Sequence, residues 1–442
     1  MLGFRYFGMI FSKKQKIILA GGGFLVIVVL VLIFTNTKGG GNILTTNLTV
    51  WGVDDASVIT PLLFSYTKLQ PGIKISYIKV NSSEYDSKLL EALALAKGPD
   101  VFIVRSGSLL KDKAKLAPVS PTQFNLTKIQ GFADVVWSKN YGSDFVYKNQ
   151  IYALPLYIDT LALFYNRDMF NEAAIVYPPK TWEDFQNDIP LLRKTDEFGN
   201  ITRAGAAIGG TEKTIGVVGD ILGLLMLQNG VAMTSDDLGK AVFADGGKRG
   251  KGSQALNFYT QFANPASKYY TWNDGMGEAL SSFASGKAAM VLGYKQDLAA
   301  IKKKNPFLNV GVAPVPQVDV DNTLAYANYV GLGVSARSKS QQAAWDFVIY
   351  ATTNLDFQRA YLKATQKPPA LKSLIAEMIN SLEIQVFARQ ALTARSWTRV
   401  DNEQVKQIFS DTVDDVLSGR SDSAKALERA QGRVSQLLQA KK

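Results

Sequence analysis

Chemistry in this chain can be done only by carboxylates, lysines, hydroxyls and phenols, because its 442 residues include no cysteine and no histidine. That excludes thiolate nucleophiles, disulfides, Cys/His metal sites, Ser-His-Asp triads and a lipid-bearing cysteine. Ser65 and Lys68 have the S-x-x-K spacing of an acylating pair, but no S-D-N or K-T-G accompanies them, so they read as the polar face of a helix. Gly331–Ala336 (GLGVSA) matches G-x-G-x-x-A inside an apolar run that reads as a strand, not at the opening of a helix. Gly246–Ser253 (GGKRGKGS) lacks the order of a phosphate loop and reads as a basic turn. Asp196, Asp319 and Asp321 stand in turn sequences without the ligand pattern of a calcium loop, and no metal or cofactor is expected. Lys302–Lys304 end a helix, where cations complement its dipole. What remains is carboxylate pairing: Asp54 or Asp55 with Asp159 or Asp274 would suit acid–base work on a glycan if a cleft brought them together.

The elements that must position these groups begin after an apolar run. Residues 17–34 (IILAGGGFLVIVVLVLIF) carry no charge and as a helix would span about 27 Å, close to a hydrocarbon core. Four basic residues precede the run and Lys38 follows it, which places tail 1–16 in the cytoplasm and the rest outside, the anchor being retained in the cytoplasmic membrane as a single pass. No A-x-A-like cleavage site follows Phe34. Residues 35–47 are small, polar and Gly-rich, a flexible leash. Residues 1–38 hold five of the +11 net charges, and the +6 left for the remainder is too mild to argue for nucleic acid.

From Leu48 the pattern alternates. LTVWGV reads as a strand and Val58, Leu62, Tyr66 and Leu69 as a helical stripe; IKISYIKV (73–80) is a second strand; Tyr85, Leu89, Leu93 and Ala96 mark a second helix stopped by Gly98-Pro99; and DVFIV (100–104) is a third strand. This order implies a mostly parallel open sheet with ligands off the carboxyl ends of its strands, at 51–55 and 105–108. A second unit begins near residue 150, where IYALPLYIDTLALFYN reads as a buried crossing. Thr181 and Asp184 form a T-x-x-D cap for a helix limited by Pro190, and NVGVAPVP (309–316) reads as a second crossing because of its two prolines. Amphipathic helices are expected at 340–353 and within 401–437.

The stretches LTVWGVDD, GPDVF (98–102), YALPLYIDTLALFYNRDMFNEA (152–173), PPKTWEDF (178–185), FASGKAAMVLGY (283–294), VGVAPVP (310–316) and SGRSDSAKALERAQ (418–431) occur in an order that resembles the family 1 extracellular solute-binding proteins, the maltose-binding-protein-like receptors of ABC importers. The chain departs from the lipoprotein members in having no cysteine to lipidate. The resemblance implies a periplasmic-binding-protein-like fold of two α/β lobes with a hinge and an interlobe cleft. One lobe would take residues 48–157 plus 313–374 and the other 158–312 plus 375–442, with crossovers near 157–161, 312–316 and 374–378. It further implies a non-catalytic monomer that closes around a sugar or similar polar ligand and delivers it to an ABC permease.

Carried onto matching loops, the resemblance implies ligand contacts at Trp51, Asp54 and Asp55, at Ser106 and Ser108, and at Tyr157 and Asp159 on the first crossover. In the second lobe it implies Thr211, then Trp272, Asn273 and Asp274 of YTWNDG, then Tyr294 and Gln296, and Trp397. Trp faces stack on sugars and carboxylates accept hydroxyl hydrogen bonds. Each position has a plainer reading too: core Trp, helix-capping Asp, turn Ser, hinge hydrogen bond. A surface carbohydrate-active enzyme using paired carboxylates, or a sensor or adhesin of the same fold, are the alternatives.

Overall fold

Alternation along Thr46–Gly52 (β1) turns Leu48 and Val50 into a core while Thr49 and Trp51 stay half-buried. The computed structural model describes residues 45–138 and 142–440; the expected tail 1–16 and membrane span 17–34 lie outside the described residues. Among the described residues no helix is long and apolar enough to cross a membrane. β1 starts at Thr46, two residues inside the expected leash, because its ladder to Ile73–Lys79 (β2) runs in parallel register from Thr46–Ile73 to Gly52–Lys79. Between them Ala56–Leu69 (α1) packs on the sheet through Ile59, Leu63 and Tyr66. The expected stripe through Leu69 has the same helical period, but packing turned the helix so that Leu69 is exposed. Tyr85–Ala94 (α2) buries the expected Tyr85, Leu89 and Leu93. Val101–Arg105 (β3) then joins β1 in parallel. Leu116–Ala117 (β4) and Leu154–Pro155 (β5) complete what precedes the first departure of the chain from this sheet.

The chain leaves through Asp159–Thr160 (β6) into Ala162–Asn166 (β7), the centre of a second, three-stranded antiparallel sheet. Trp182–Leu192 (α3) opens with the predicted capping box: Thr181 Oγ1 accepts the Asp184 N–H at 3.0 Å and the Asp184 carboxylate accepts the Thr181 N–H at 3.0 Å. Pro190 lies in its last turn rather than ending it. Val218–Gln228 (α4) is buried nearly all round, as its apolar sequence requires, and Gly230 past its end has φ +70°. Met290–Gly293 (β8) and Val310–Pro314 (β9) flank β7, with Asp297–Lys304 (α5) between them.

The return passage differs from expectation. Residues 310–314 are an edge strand of the second sheet, where Pro314 costs no ladder bond, so the prolines mark an edge and not a crossing. The chain returns through Ala325–Asn328 (β10), antiparallel to β6, and enters Val330–Ser335 (β11) of the first sheet. Lobe boundaries drawn at 312/313 therefore fall inside the second sheet. Gln341–Thr353 (α6) and Leu355–Thr365 (α7) follow; the last passage runs from Lys372–Met378 (α8) into Gln385–Thr393 (α9). Ala394–Arg395 (β12) then pairs with β10 in parallel, making a small linking sheet in the order β6-β10-β12. Two amphipathic helices, Asn402–Leu417 (α10) and Ser423–Gln439 (α11), close the chain; α10 packs on α4.

The GLGVSA segment is β11, paired on one edge with β3 and on the other with β4 and β5. Its glycines serve packing: a Cβ on Gly331 would lie 2.7 Å from the Leu154 carbonyl oxygen and 2.8 Å from the Phe145 ring. Gly331→Ala should therefore destabilise the protein by roughly 1–3 kcal/mol through overpacking, read as a lowered denaturation midpoint at unchanged m-value.

Candidate functional site

The loops after β1, β2 and β3 all empty on one side of the first sheet, where the carboxyl ends of parallel strands leave room for a ligand. There a cleft of about 1100 Å³ opens, with one wall from Asp54, Asn81, Arg105 and Lys367 and the other from Arg167, Tyr294, Lys295, Gln296 and Lys302. Tyr157, Asp159 and Asn328, on or beside the linking sheet, line it as well. A smaller extension of about 320 Å³ shares Arg105, Tyr294, Gln296 and Asn328 and reaches Asp220 and Arg399.

Asp54 is fixed before any ligand arrives. Lys367 Nζ donates to its Oδ1 at 2.6 Å and the Tyr361 hydroxyl to its Oδ2 at 2.9 Å, and the same ammonium lies 4.5 Å from the centre of the Tyr157 ring. Each carboxylate oxygen still has lone-pair capacity for a hydroxyl donor. Asp159 is buried on β6, its Oδ1 accepting the N–H groups of Thr160 at 2.9 Å and Lys295 at 3.1 Å. Burial pushes its carboxyl up to about 7, against those backbone donors, so near neutrality it is poised between acceptor and donor. Burial also holds the Lys295 ammonium below its ordinary value.

Tyr294 lines the cleft with little exposed surface, since its hydroxyl donates to Asp220 Oδ2 at 2.7 Å. The other Asp220 oxygen accepts from Arg399 Nη1 at 2.7 Å, a buried pair that positions α4 against the segment before α10. Gln296 is exposed beside it.

Of the expected contacts, Asp54, Tyr157, Asp159, Tyr294 and Gln296 thus come together, and nine do not. Asp55 points to solvent and pairs with Lys79. Trp51 borders a small apolar crevice of about 40 Å³ with Leu63 and Phe347. Ser106 is buried, its hydroxyl accepting the Tyr329 N–H at 3.3 Å; Ser108 donates to the Arg105 carbonyl at 2.9 Å. Thr211 precedes the short helix Glu212–Ile215, whose ends line the smaller extension while Thr211 itself does not. Trp272 is fully buried, donating to Thr214 Oγ1 at 3.2 Å; Asn273 accepts the Gly275 N–H at 2.9 Å in a turn, and Asp274 is exposed there. Trp397 is 6% exposed, edge-on to Phe243 and Phe409. A tryptophan in a polar loop can fill a core as readily as stack on a ligand, and only tertiary packing decides. Among the carboxylate pairs proposed for catalysis, only Asp54 and Asp159 share the cleft.

Sequence reasoning missed Lys367, Asn328 and Lys295, and placed Arg105 at a ligand-facing strand end without naming it as a contact. The Pro368-Pro369 step after Lys367 was a usable signal, because the Pro368 carbonyl accepts the Ile158 N–H at 3.0 Å and so fixes Lys367 beside the first passage.

A sequence model of the bacterial extracellular solute-binding proteins matches residues 53–354. The multiple sugar-binding protein of Streptococcus mutans is 24% identical over 58% of this chain and 60% of its own length. The galactooligosaccharide-binding protein of Bacillus subtilis is 22% identical over 64% of each chain. The chain thus spans about six tenths of the length of these curated relatives. The solved sugar-binding protein MalE of Xanthomonas citri shares the fold at a TM-score of 0.71 and 20% identity, covering 89% of this chain and 97% of that one. The architecture is therefore that of two α/β lobes.

Because Trp397 fills a core, Trp397→Ala should lower stability by about 3–5 kcal/mol in equilibrium denaturation. An unchanged midpoint with weakened ligand binding would instead return Trp397 to the binding surface.

Proposed function

The chain belongs to the bacterial extracellular solute-binding protein family, and we propose that it captures a saccharide in the cleft between its lobes and delivers it to an ABC importer. One observation carries the reading: a single cleft of about 1100 Å³ takes Asp54 and Lys367 from one wall and Lys295 and Gln296 from the other. A ligand that touches both walls binds the closed arrangement better than the open one, which is the condition for closure to report occupancy. The linking sheet supplies the hinge, its short strands absorbing the rotation. Tyr157 and Tyr294 offer apolar surface, and Asp54, Asp159, Gln296 and Asn328 offer hydrogen-bond partners for hydroxyls. The relatives named above bind multiple sugars and galactooligosaccharides by name, in keeping with this chemistry.

The receptor acts as a non-catalytic monomer, tethered in the cytoplasmic membrane by residues 17–34 with the lobes outside. Tethering keeps receptor and permease at high effective concentration, so a weak contact between them suffices.

A thermal-shift screen of residues 43–442 against neutral and acidic oligosaccharides, monosaccharides, polyols and peptides should give a saturable rise in melting temperature with a saccharide that is recovered unaltered. Recovery of cleaved glycan would replace receptor with enzyme, and a response confined to peptides would replace the ligand class. Alkaline carbonate extraction should leave the full-length protein in the membrane pellet with its N-terminal peptide intact; a mature N-terminus beyond Phe34 would refute the tether.

A further inference from the structure

The charges in the main cleft do not balance. Cations line it from both lobes: Lys79, Arg105 and Lys367 on one side, Arg167, Lys295 and Lys302 on the other. Three carboxylates answer them, Asp54, Asp159 and Glu383.

Pairing removes less of this excess than the count suggests. Lys367 is neutralised by Asp54 at 2.6 Å and Lys79 by Asp55 outside the cleft, and Arg105 reaches Asp86 only at 3.7 Å while donating to the Ser82 carbonyl at 3.2 Å. On the opposite wall, Arg167, Lys295 and Lys302 have no carboxylate within ion-pair distance among the described residues. Asp159 accepts the Lys295 backbone N–H, and both Asp159 and Glu383 act on the Lys295 ammonium only from beyond ion-pair distance.

Lys295 is the informative residue. It is half-buried, stands two residues past the end of β8, and carries an ammonium with no ion-pair partner in a place where water has been partly excluded. A cation so placed is costly unless an anion arrives. Lys302, one face along α5, and Arg167, at the end of β7, widen this into a basic wall opposite Arg105. Between these charges lie Asn81, Gln296, Asn328 and Gln366, which suit hydroxyls, and the apolar Val310, Val312 and Phe387. The cleft also stands at the upper end of small-molecule sites, about 300–1,000 Å³, which favours more than one sugar ring.

Resting on the saccharide-receptor reading, we infer that the ligand is an anionic oligosaccharide whose acidic groups face Lys295, Lys302 and Arg167. Uronate carboxylates are the first source of that charge and sulfate esters the second.

Isothermal titration of the full-length protein with trigalacturonate, a sulfate ester of maltotriose that carries no uronate, and neutral maltotriose tests this. At least one acidic probe should bind about tenfold or more tighter than maltotriose, with affinity falling as salt is raised from low to physiological strength. Lys295→Gln with Lys302→Gln should weaken the acidic probe by about tenfold or more while the melting temperature of the ligand-free protein does not fall. Both side chains are cleft-facing and make no ion pair, so the double variant should fold. Preference for trigalacturonate identifies a uronate and preference for the sulfated probe a sulfate ester. Maltotriose binding as tightly as both acidic probes, or acidic binding untouched by the double variant, overturns the charge assignment and leaves the saccharide receptor standing. Absence of binding by all three to folded protein overturns this inference, while the wider screen above decides the receptor reading by itself.

Discussion

The hydrogen-bonded pairing of Asp159–Thr160 with Ala327–Asn328 is the constraint on which the cleft depends. Two separate sheets are joined by chain segments that must cross an apolar interior, and a buried backbone cannot leave its polar groups unpaired. The crossings solve this by bonding to each other. Leu156 N–H donates to Val330 O, Ile158 N–H to Pro368 O and Leu161 N–H to Tyr326 O, each at 3.0 Å, so the first passage is bonded on both sides of the ladder. Gln390 ties in the helix of the last passage, its amide donating to Thr160 Oγ1 and the Leu161 carbonyl while its oxygen accepts the Val315 N–H. The link is thus narrow, and these backbone groups of the first passage are paired.

Around that link, carboxylates fix loops more often than they face solvent. Asp144 accepts the Gly107 N–H at 3.1 Å and the Tyr329 hydroxyl at 2.8 Å, and also takes the Ser396 hydroxyl, so three distant segments meet on one buried group. Burial raises its carboxyl above the usual range, and the four bonding and charge partners oppose that rise. Asp220 does similar work for Tyr294 and Arg399. Such networks are costly when half-made, and both oxygens of Asp220 are engaged. They leave the cleft bordered by side chains that cannot easily turn away, a preorganised surface rather than a flexible one.

The legible part of this structure was local. Period-two and period-3.6 patterns located β1, α1, β2, α2 and β3 to within a few residues, and the Thr181–Asp184 capping box and the Asp196 and Asp319 turns needed only their own neighbours. The site was legible only where a whole loop had to lie off a strand end, as with Asp54, or on the crossing, as with Tyr157 and Asp159. Burial is not local, and so Trp272 and Trp397 read as ligand platforms although both fill cores. The return passage was hidden for the same reason: Ala325–Asn328 carries no proline or glycine to mark it, whereas Pro314 and Pro316 drew attention to an edge strand. Lys295 and Lys367 are single polar residues whose meaning arises only when both walls of the cleft are in place.

Lys295 joins these levels in one residue. Its backbone N–H holds the Asp159 carboxylate on the linking strand, and its side chain enters the cleft. An anion drawn to the ammonium is therefore separated from the linking strand by the Lys295 side chain and one hydrogen bond. The same anion would stabilise the charged form of Lys295, which burial disfavours, while its charge would further discourage ionisation of Asp159. Binding and the protonation of the linking strand are coupled by linkage, because a ligand that prefers one protonation state must shift the equilibrium between the two. A neutral sugar would exert no such pull, so the charge of the ligand determines whether the linking strand is acted on electrostatically or through contact alone.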